Sequence, residues 1–158
     1  MPRVVLVHPQ IPPNTGNIAR TCAATATELH LVEPLGFEIS DRYLKRAGLD
    51  YWPYVKLHHH QSIEDFRETC QQLGGRQIGF STGGKYNYSE FQFLSTDWLL
   101  FGSETQGLPP DVLNACDATV YIPIQEKGVR SFNLSVSVAV GLFEAQRQLG
   151  YLGSLSTF

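Results

Sequence analysis

The sequence predicts a single α/β domain whose mainly parallel sheet is covered by helices on both faces. Three observations predict it. Short β-rich apolar runs alternate with longer amphipathic segments along all 158 residues. The first run, Arg3-Val4-Val5-Leu6-Val7-His8, is apolar at consecutive positions, as a strand buried on both faces requires. No repeat, linker or change of composition divides the chain, whose length fits one domain with a real core.

Residues 3–8 form the first expected strand. Pro9, Pro12 and Pro13 then hold off a helix until Asn14, which is placed to cap one reaching about Thr25. Ile18, Ala19, Cys22 and Ala23 share a face of that helix. Residues 29–32 make a second strand, closed by Pro34 and Gly36, and Ser40 caps a short helix ending at Gly48. A weaker strand is expected near residues 54–57. Ser62-Ile63-Glu64-Asp65 resembles a capping box, starting a helix that stops at Gly74-Gly75. Residues 77–81 are the next strand, followed by a polar, Gly-rich stretch over 82–89. A strand over 97–101 ends at Gly102, and Pro109 and Pro110 open a short helix to about Ala115. Residues 119–122 are the last strand. Residues 133–149 are a closing helix with Leu134, Val138, Leu142, Ala145 and Leu149 on its apolar side.

Composition narrows the function classes. Hydrophobic residues are 42% and charged residues 17%, an ordinary globular balance. Apolar runs are too short to span a bilayer and no secretory pattern opens the chain, so no membrane partner is expected. Cys22, Cys70 and Cys116 are widely spaced and odd in number, which reads as reduced thiols of a cytoplasmic protein. A net charge of −3 argues against coating nucleic acid by bulk electrostatics, while leaving room for a local basic patch.

Several short motifs fail on their surroundings. Gly79 to Lys85 matches GxxxxGK, but Tyr86 stands where a phosphate-binding loop needs Ser or Thr, and no helical period follows. No GxGxxG follows a strand, so a Rossmann dinucleotide site is unsupported. His58, His59 and His60 alternate faces in a strand and cannot all ligate one metal; an exposed strand end accounts for them. No nucleophile elbow is present.

Ligands of parallel sheets bind beyond the carboxyl ends of the strands, which directs attention to residues 9–14, 81–85, 102–109 and 123–131. Three segments there carry polar residues and glycines. Asn14, Asn17 and Arg20 recur at helical spacing, as either a ligand face or a solvated one. Leu100-Phe101-Gly102-Ser103-Glu104-Thr105-Gln106-Gly107-Leu108-Pro109 puts a carboxylate between two glycines, as a binding loop or a plain turn. Ile122-Pro123-Ile124 leads to Arg130-Ser131-Phe132-Asn133-Leu134-Ser135, where Asn133 could simply cap a helix and Arg130 could be a surface charge.

In order and form, these segments resemble the three motifs of the SPOUT (SpoU–TrmD) RNA methyltransferases: N-x-x-R, then F-G-x-E-x-x-G-L, then I-P with S-x-N-L-S. The similarity runs from about Val4 to Gly150 and is closest to the minimal tRNA wobble-nucleotide 2′-O-methyltransferases. It is carried there by Ile11-Pro12-Pro13-Asn14-Thr15-Gly16-Asn17, Glu33-Pro34-Leu35-Gly36-Phe37, Arg46-Ala47-Gly48-Leu49-Asp50-Tyr51 and Arg147-Gln148-Leu149-Gly150-Tyr151. Two stretches depart from that pattern: Ser81-Thr82-Gly83-Gly84-Lys85 and Ser135-Val136-Ser137.

The resemblance implies one SPOUT domain over residues 1–158, with a carboxy-terminal trefoil knot in roughly 77–150. It implies S-adenosyl-L-methionine as cofactor, S-adenosyl-L-homocysteine as product, no metal, a homodimer and tRNA as partner. The implied reaction is 2′-O-methylation of the wobble ribose, a cytidine or modified uridine at position 34. The alternatives are another tRNA or rRNA nucleotide or, from a different class, a non-catalytic RNA-binding module. Phe80, Ser81, Thr82, Gly102, Gly107, Ile122, Ser131 and Leu134 are the implied cofactor positions. Arg20, Glu104, Ser131 and Asn133 are the implied catalytic group, with Arg20 positioning the ribose and assisting loss of its proton. An arginine normally keeps its own proton, so a phosphate acceptor or an unusual environment has to complete that step. Candidates for RNA contact are Asn14, Asn17, Arg130 and a basic stripe of Arg42, Lys45 and Arg46, which is equally a solvated helix face.

Overall fold

The computed structural model describes residues 1–40, 42, 46 and 50–153. Its strands are β1 (Arg3–Val7), β2 (Glu28–Val32), β3 (Lys56–His60), β4 (Gln77–Phe80), β5 (Tyr86–Asn87), β6 (Trp98–Phe101) and β7 (Ala118–Tyr121). Helices are α1 (Pro12–Ala24), α2 (Ile63–Leu73), α3 (Pro110–Ala115) and α4 (Leu134–Leu149), with a 3-10 turn at Trp52–Tyr54. The strands form one sheet in the order β3-β2-β1-β6-β4-β7-β5, and every pairing is parallel.

The pleat sorts the core into two layers. Val4, Leu6, Leu29 and Leu31 point to one face, where they meet Ile18, Ala19 and Cys22 of α1 and Val138, Leu142 and Ala145 of α4. Val5, Val7, Val32 and Leu100 point to the other, against Phe66 and Cys70 of α2 and Val112 of α3. Val4 through Val7 are fully buried, which explains why β1 reads as an unbroken apolar run. An ion pair anchors β6 from outside this apolar logic. Arg76 donates from Nε and Nη2 to the two oxygens of buried Asp97, at 2.9 and 2.8 Å.

The strand order positions the site. From β1 the chain adds β2 and β3 on one side; β6, β4, β7 and β5 lie on the other. The direction of growth therefore reverses at β1, and β6, β4 and β7 stand side by side next to it, so the loops leaving their carboxyl ends are neighbours.

Several boundaries differ from expectation. Helix α1 begins at Pro12, with Ile11 as its N-cap, so Asn14 lies inside the first turn. Prolines at the first helical positions lose only amide hydrogens that would have no intrahelical partner, so Pro12 and Pro13 start the helix instead of delaying it. The weak strand lies at Lys56–His60, because Pro53 sits in the 3-10 turn and pairing with β2 begins at Lys56. The three histidines are the last residues of that strand; His58 and His59 are exposed, as expected of an exposed strand end, while His60 is buried. Tyr86–Asn87 pairs with Val120 and Tyr121 as β5, too short for any sequence period to reveal. Its presence confirms that no helix follows Lys85. Ser62 caps α2 by accepting from the Asp65 amide, and Asn133 caps α4 by accepting from Ser135 and Val136. Most of the short helix expected from Ser40 to Gly48, including Lys45, lies outside the described residues; Arg42 and Arg46 are helical and exposed.

Candidate functional site

Three loops leave the carboxyl edge of the sheet side by side and enclose a cavity of about 310 Å³. One wall is Phe80, Ser81 and Thr82 at the end of β4; a second is the Gly102–Gly107 turn after β6. The third comprises Ile122, Ile124, Arg130 and Ser131 from the loop after β7, closed by Leu134 and Ser137 of α4. All eight positions implied for the cofactor, namely Phe80, Ser81, Thr82, Gly102, Gly107, Ile122, Ser131 and Leu134, line this one space. Phe80 is held by stacking on Phe101, with ring centroids 4.4 Å apart.

The turn after β6 has a specific construction. Ser103 and Gly107 exchange two backbone hydrogen bonds, of 3.2 and 3.0 Å, and the Gln106 amide donates to Ser103 Oγ. Closing so small a loop requires Gly107 at φ +69. It also requires Gly102 without a side chain, because a Cβ there would lie 1.9 Å from the Gly107 carbonyl carbon.

That turn aims Glu104 at the start of α1. Its carboxylate accepts from the Gln10 amide at 2.9 Å, the Ile11 amide at 2.6 Å and Asn14 Nδ2 at 3.4 Å. Ile11 is the N-cap, so an anion meets amides that the helix leaves unpartnered. Asn14 Oδ1 in turn accepts from Asn133 Nδ2 at 3.1 Å. Glu104, Asn14 and Asn133 thus join all three motifs in one chain of hydrogen bonds.

Arg20 lies apart from this chain. It is exposed two turns along α1, its Nη2 donates to the Tyr51 hydroxyl at 2.8 Å, and its guanidinium sits 4.3 Å from the Tyr51 ring centroid. Arg20, Asn14, Asn17 and Asn133 are not among the cavity-lining residues, whereas Glu104, Ser131 and Arg130 are. Asn17 is exposed on the same side of α1 as Arg20.

Sequence reasoning missed Tyr51 as the partner of Arg20, and Ser137 as a cavity wall. Tyr51 stood within a quoted landmark, yet nothing local linked it to a residue 31 positions away. A second cavity of about 360 Å³ lies behind the same turn, bounded by His8, Gln10, Thr105 and Pro109 among others. None of the cysteines offers a nucleophile. All are unpaired, and burial pushes Cys22 and Cys70 up to about 12 and Cys116 up to about 11. No helix among the described residues is long and apolar enough to cross a membrane.

Comparison with known proteins gives this geometry a family. The sequence model of the SpoU rRNA Methylase family matches residues 1–143. A protein of Synechocystis sp., provisionally named tRNA (cytidine(34)-2′-O)-methyltransferase, is 59% identical over 153 residues, covering 97% of this chain and all of the relative. A solved structure described by the 2-OH methylation of C/U34 on tRNA superposes with a TM-score of 0.90 at 48% identity, covering 94% of this chain and 96% of its own. The AdoMet-bound rRNA methyltransferase of Sinorhizobium meliloti superposes with a TM-score of 0.85 at 26% identity, covering 94% of this chain and 56% of that one. The chain belongs to the SpoU methylase family.

Proposed function

We propose that this chain transfers a methyl group from S-adenosyl-L-methionine to the ribose 2′-hydroxyl of tRNA nucleotide 34, releasing S-adenosyl-L-homocysteine. The observation that carries this reading is the convergence of three loops, distant in sequence, into one cavity at the carboxyl edge of the sheet. Full-length similarity to a relative named for that activity supports the choice of substrate.

The cavity's chemistry fits the cofactor. Phe80, Ile122, Ile124 and Leu134 offer an apolar surface for a flat adenine, while Thr82, Ser103 and Ser131 offer hydroxyls to polar ends. When bound, the sulfonium supplies an already electrophilic methyl group. The protein's own task is to orient a weakly acidic hydroxyl and remove its proton. Arg20 is assigned to grip the ribose or its neighbouring phosphate, its guanidinium angle set by Tyr51. Ser131 is assigned to substrate orientation from the cavity wall. Glu104 and Asn133 act by locking the motif loops onto α1.

A homodimer is part of this reading, because Arg20 is outside the cavity of its own chain. Val129, Phe132, Val136 and Phe143 expose apolar surface on the adjoining loop and α4, where a second copy can cover it. The trefoil knot over roughly 77–150 also belongs to it, supported by the insertion of β6 between β1 and β4. Asn14, Asn17, Arg42, Arg46 and Arg130 are the assigned RNA contacts among the described residues, and a cytoplasmic location follows from a tRNA substrate.

Ribose-methylation mapping of tRNA from cells lacking the protein tests the proposal, together with methyl transfer by the purified chain to that tRNA. Loss of methylation at nucleotide 34, restored in vitro, is the expected result. Methylation missing from a different tRNA or rRNA nucleotide would relocate the substrate, and no missing methylation would end the proposal.

A further inference from the structure

Strands β2 and β3, at one side of the sheet, carry a second cluster that methyl transfer does not use. In the register of β2 and β3, His30 lies opposite His58, and Glu28 sits two residues before His30 on the same face. His58 Nε2 lies 3.4 Å from Glu28 Oε1, and His30 Nε2 lies 3.8 Å from Glu28 Oε2. One ligand atom from each of the three falls within 4.8 Å of the others. His59 points to the other face, where it pairs with Glu33 at 2.9 Å.

The decisive atom is His30 Nε2. The residue is 1% exposed, and this nitrogen is buried without a hydrogen-bond partner. A polar atom left so costs stability unless something occupies it. Its other nitrogen, Nδ1, lies 2.9 Å from His60 Nε2. A proton on Nδ1 donated to His60 leaves the Nε2 lone pair bare and directed toward Glu28, the arrangement in which an outer partner fixes a metal-binding imidazole.

We propose that Glu28, His30 and His58 bind one divalent ion of the zinc class, with His60 holding the His30 ring from behind. Tetrahedral zinc with bonds of about 2.0–2.2 Å sets its ligand atoms roughly 3.3–3.6 Å apart; the 3.4 Å between His58 Nε2 and Glu28 Oε1 meets that spacing, and the three residues place one ligand atom each within 4.8 Å of one another. The His30 and His58 rings stack with centroids 4.4 Å apart, so a tilt of the more exposed His58 ring completes the approach. Arg3 donates to Glu28 Oε2 at 3.1 Å, which leaves Oε1, the oxygen facing His58, for the ion. Arg3's positive charge opposes the ion and limits its affinity. Solvent reaches the site past half-exposed Glu28 and His58 and supplies the fourth ligand. Bound there, the ion ties edge strand β3 to β2, remote from the cofactor cavity.

Equilibrium dialysis of zinc against tag-free, chelator-stripped protein tests this, using wild type, E28Q, H58Q and H59Q. Cobalt(II) absorption reports the coordination. Expected are one zinc per chain, a melting temperature that rises with zinc and visible bands of a four-coordinate cobalt site. E28Q and H58Q should each bind at least about tenfold more weakly, while H59Q binds as wild type does. Since His58 and Glu28 are half-exposed, both variants should fold, which circular dichroism checks. Absence of zinc uptake by wild type would overturn the proposal, and so would uptake insensitive to E28Q and H58Q.

Discussion

Replacing Glu104 by glutamine keeps the shape of the side chain and removes its charge and one of its acceptor oxygens. In the native protein both oxygens accept from the start of α1: Oε1 from the Gln10 amide at 2.9 Å and Oε2 from the Ile11 amide at 2.6 Å. A glutamine has one oxygen and an NH2 group, so one backbone N–H must face another donor. A hydrogen bond to a charged group contributes about 1.5–3 kcal/mol, and the low end applies because this carboxylate is only half-buried. A loss of about 1.5 kcal/mol in a domain of this size lowers Tm by roughly 3–6 °C. The turn also forms a cavity wall, so affinity for S-adenosylmethionine should fall together with Tm. Thermal unfolding and titration calorimetry on E104Q measure both quantities. If kcat collapses while Tm and cofactor affinity stay at wild-type values, Glu104 acts on the substrate and the clamp reasoning is wrong.

Further outcomes follow from the structure. R20A should lower kcat by about 10²–10⁴-fold with cofactor binding intact. Y51F, which loses the 2.8 Å hydrogen bond and keeps the ring, should cost only about two- to tenfold; single-turnover assays rank the two, and the reverse ranking refutes the assignment. G141A gains about 1 kcal/mol of helix propensity, but its Cβ would lie 2.6 Å from the Phe80 ring. Overpacking at about 1–3 kcal/mol should win, lowering stability and cofactor affinity together; a more stable variant of unchanged affinity contradicts this. Burial lowers the His30 and His60 pKa values, so the unfolded chain binds more protons on acidification. Stability is then full above about 6.5 and declines as pH falls toward about 3. In chelator, H30Q should flatten that slope by up to about 1.4 kcal/mol per pH unit, which urea melts at several pH values resolve.

The motif residues were legible because they break a local rule. Glycines, Glu104 and Asn133 stand at strand and helix ends where an α/β core tolerates ligand loops, and their order along the chain resembles one family. The length of β1 and the apolar side of α4 were legible for a related reason: burial on a fixed period leaves a fixed pattern. Pairings between distant segments leave no such trace. Arg20 and Tyr51 meet across 31 positions, and His30 finds His58 only through the register of two parallel strands.

By itself, then, the sequence determined the fold class, the family and which loops to examine, because periodicity and motif order are local, one-dimensional properties. Only the tertiary structure decided that Glu104 serves as a clip on α1, that Arg20 stands outside its own chain's cavity, and that two histidines of a triplet stack on His30. Those outcomes depend on sheet order and register, which bring into contact atoms whose separation along the chain no local spacing encodes.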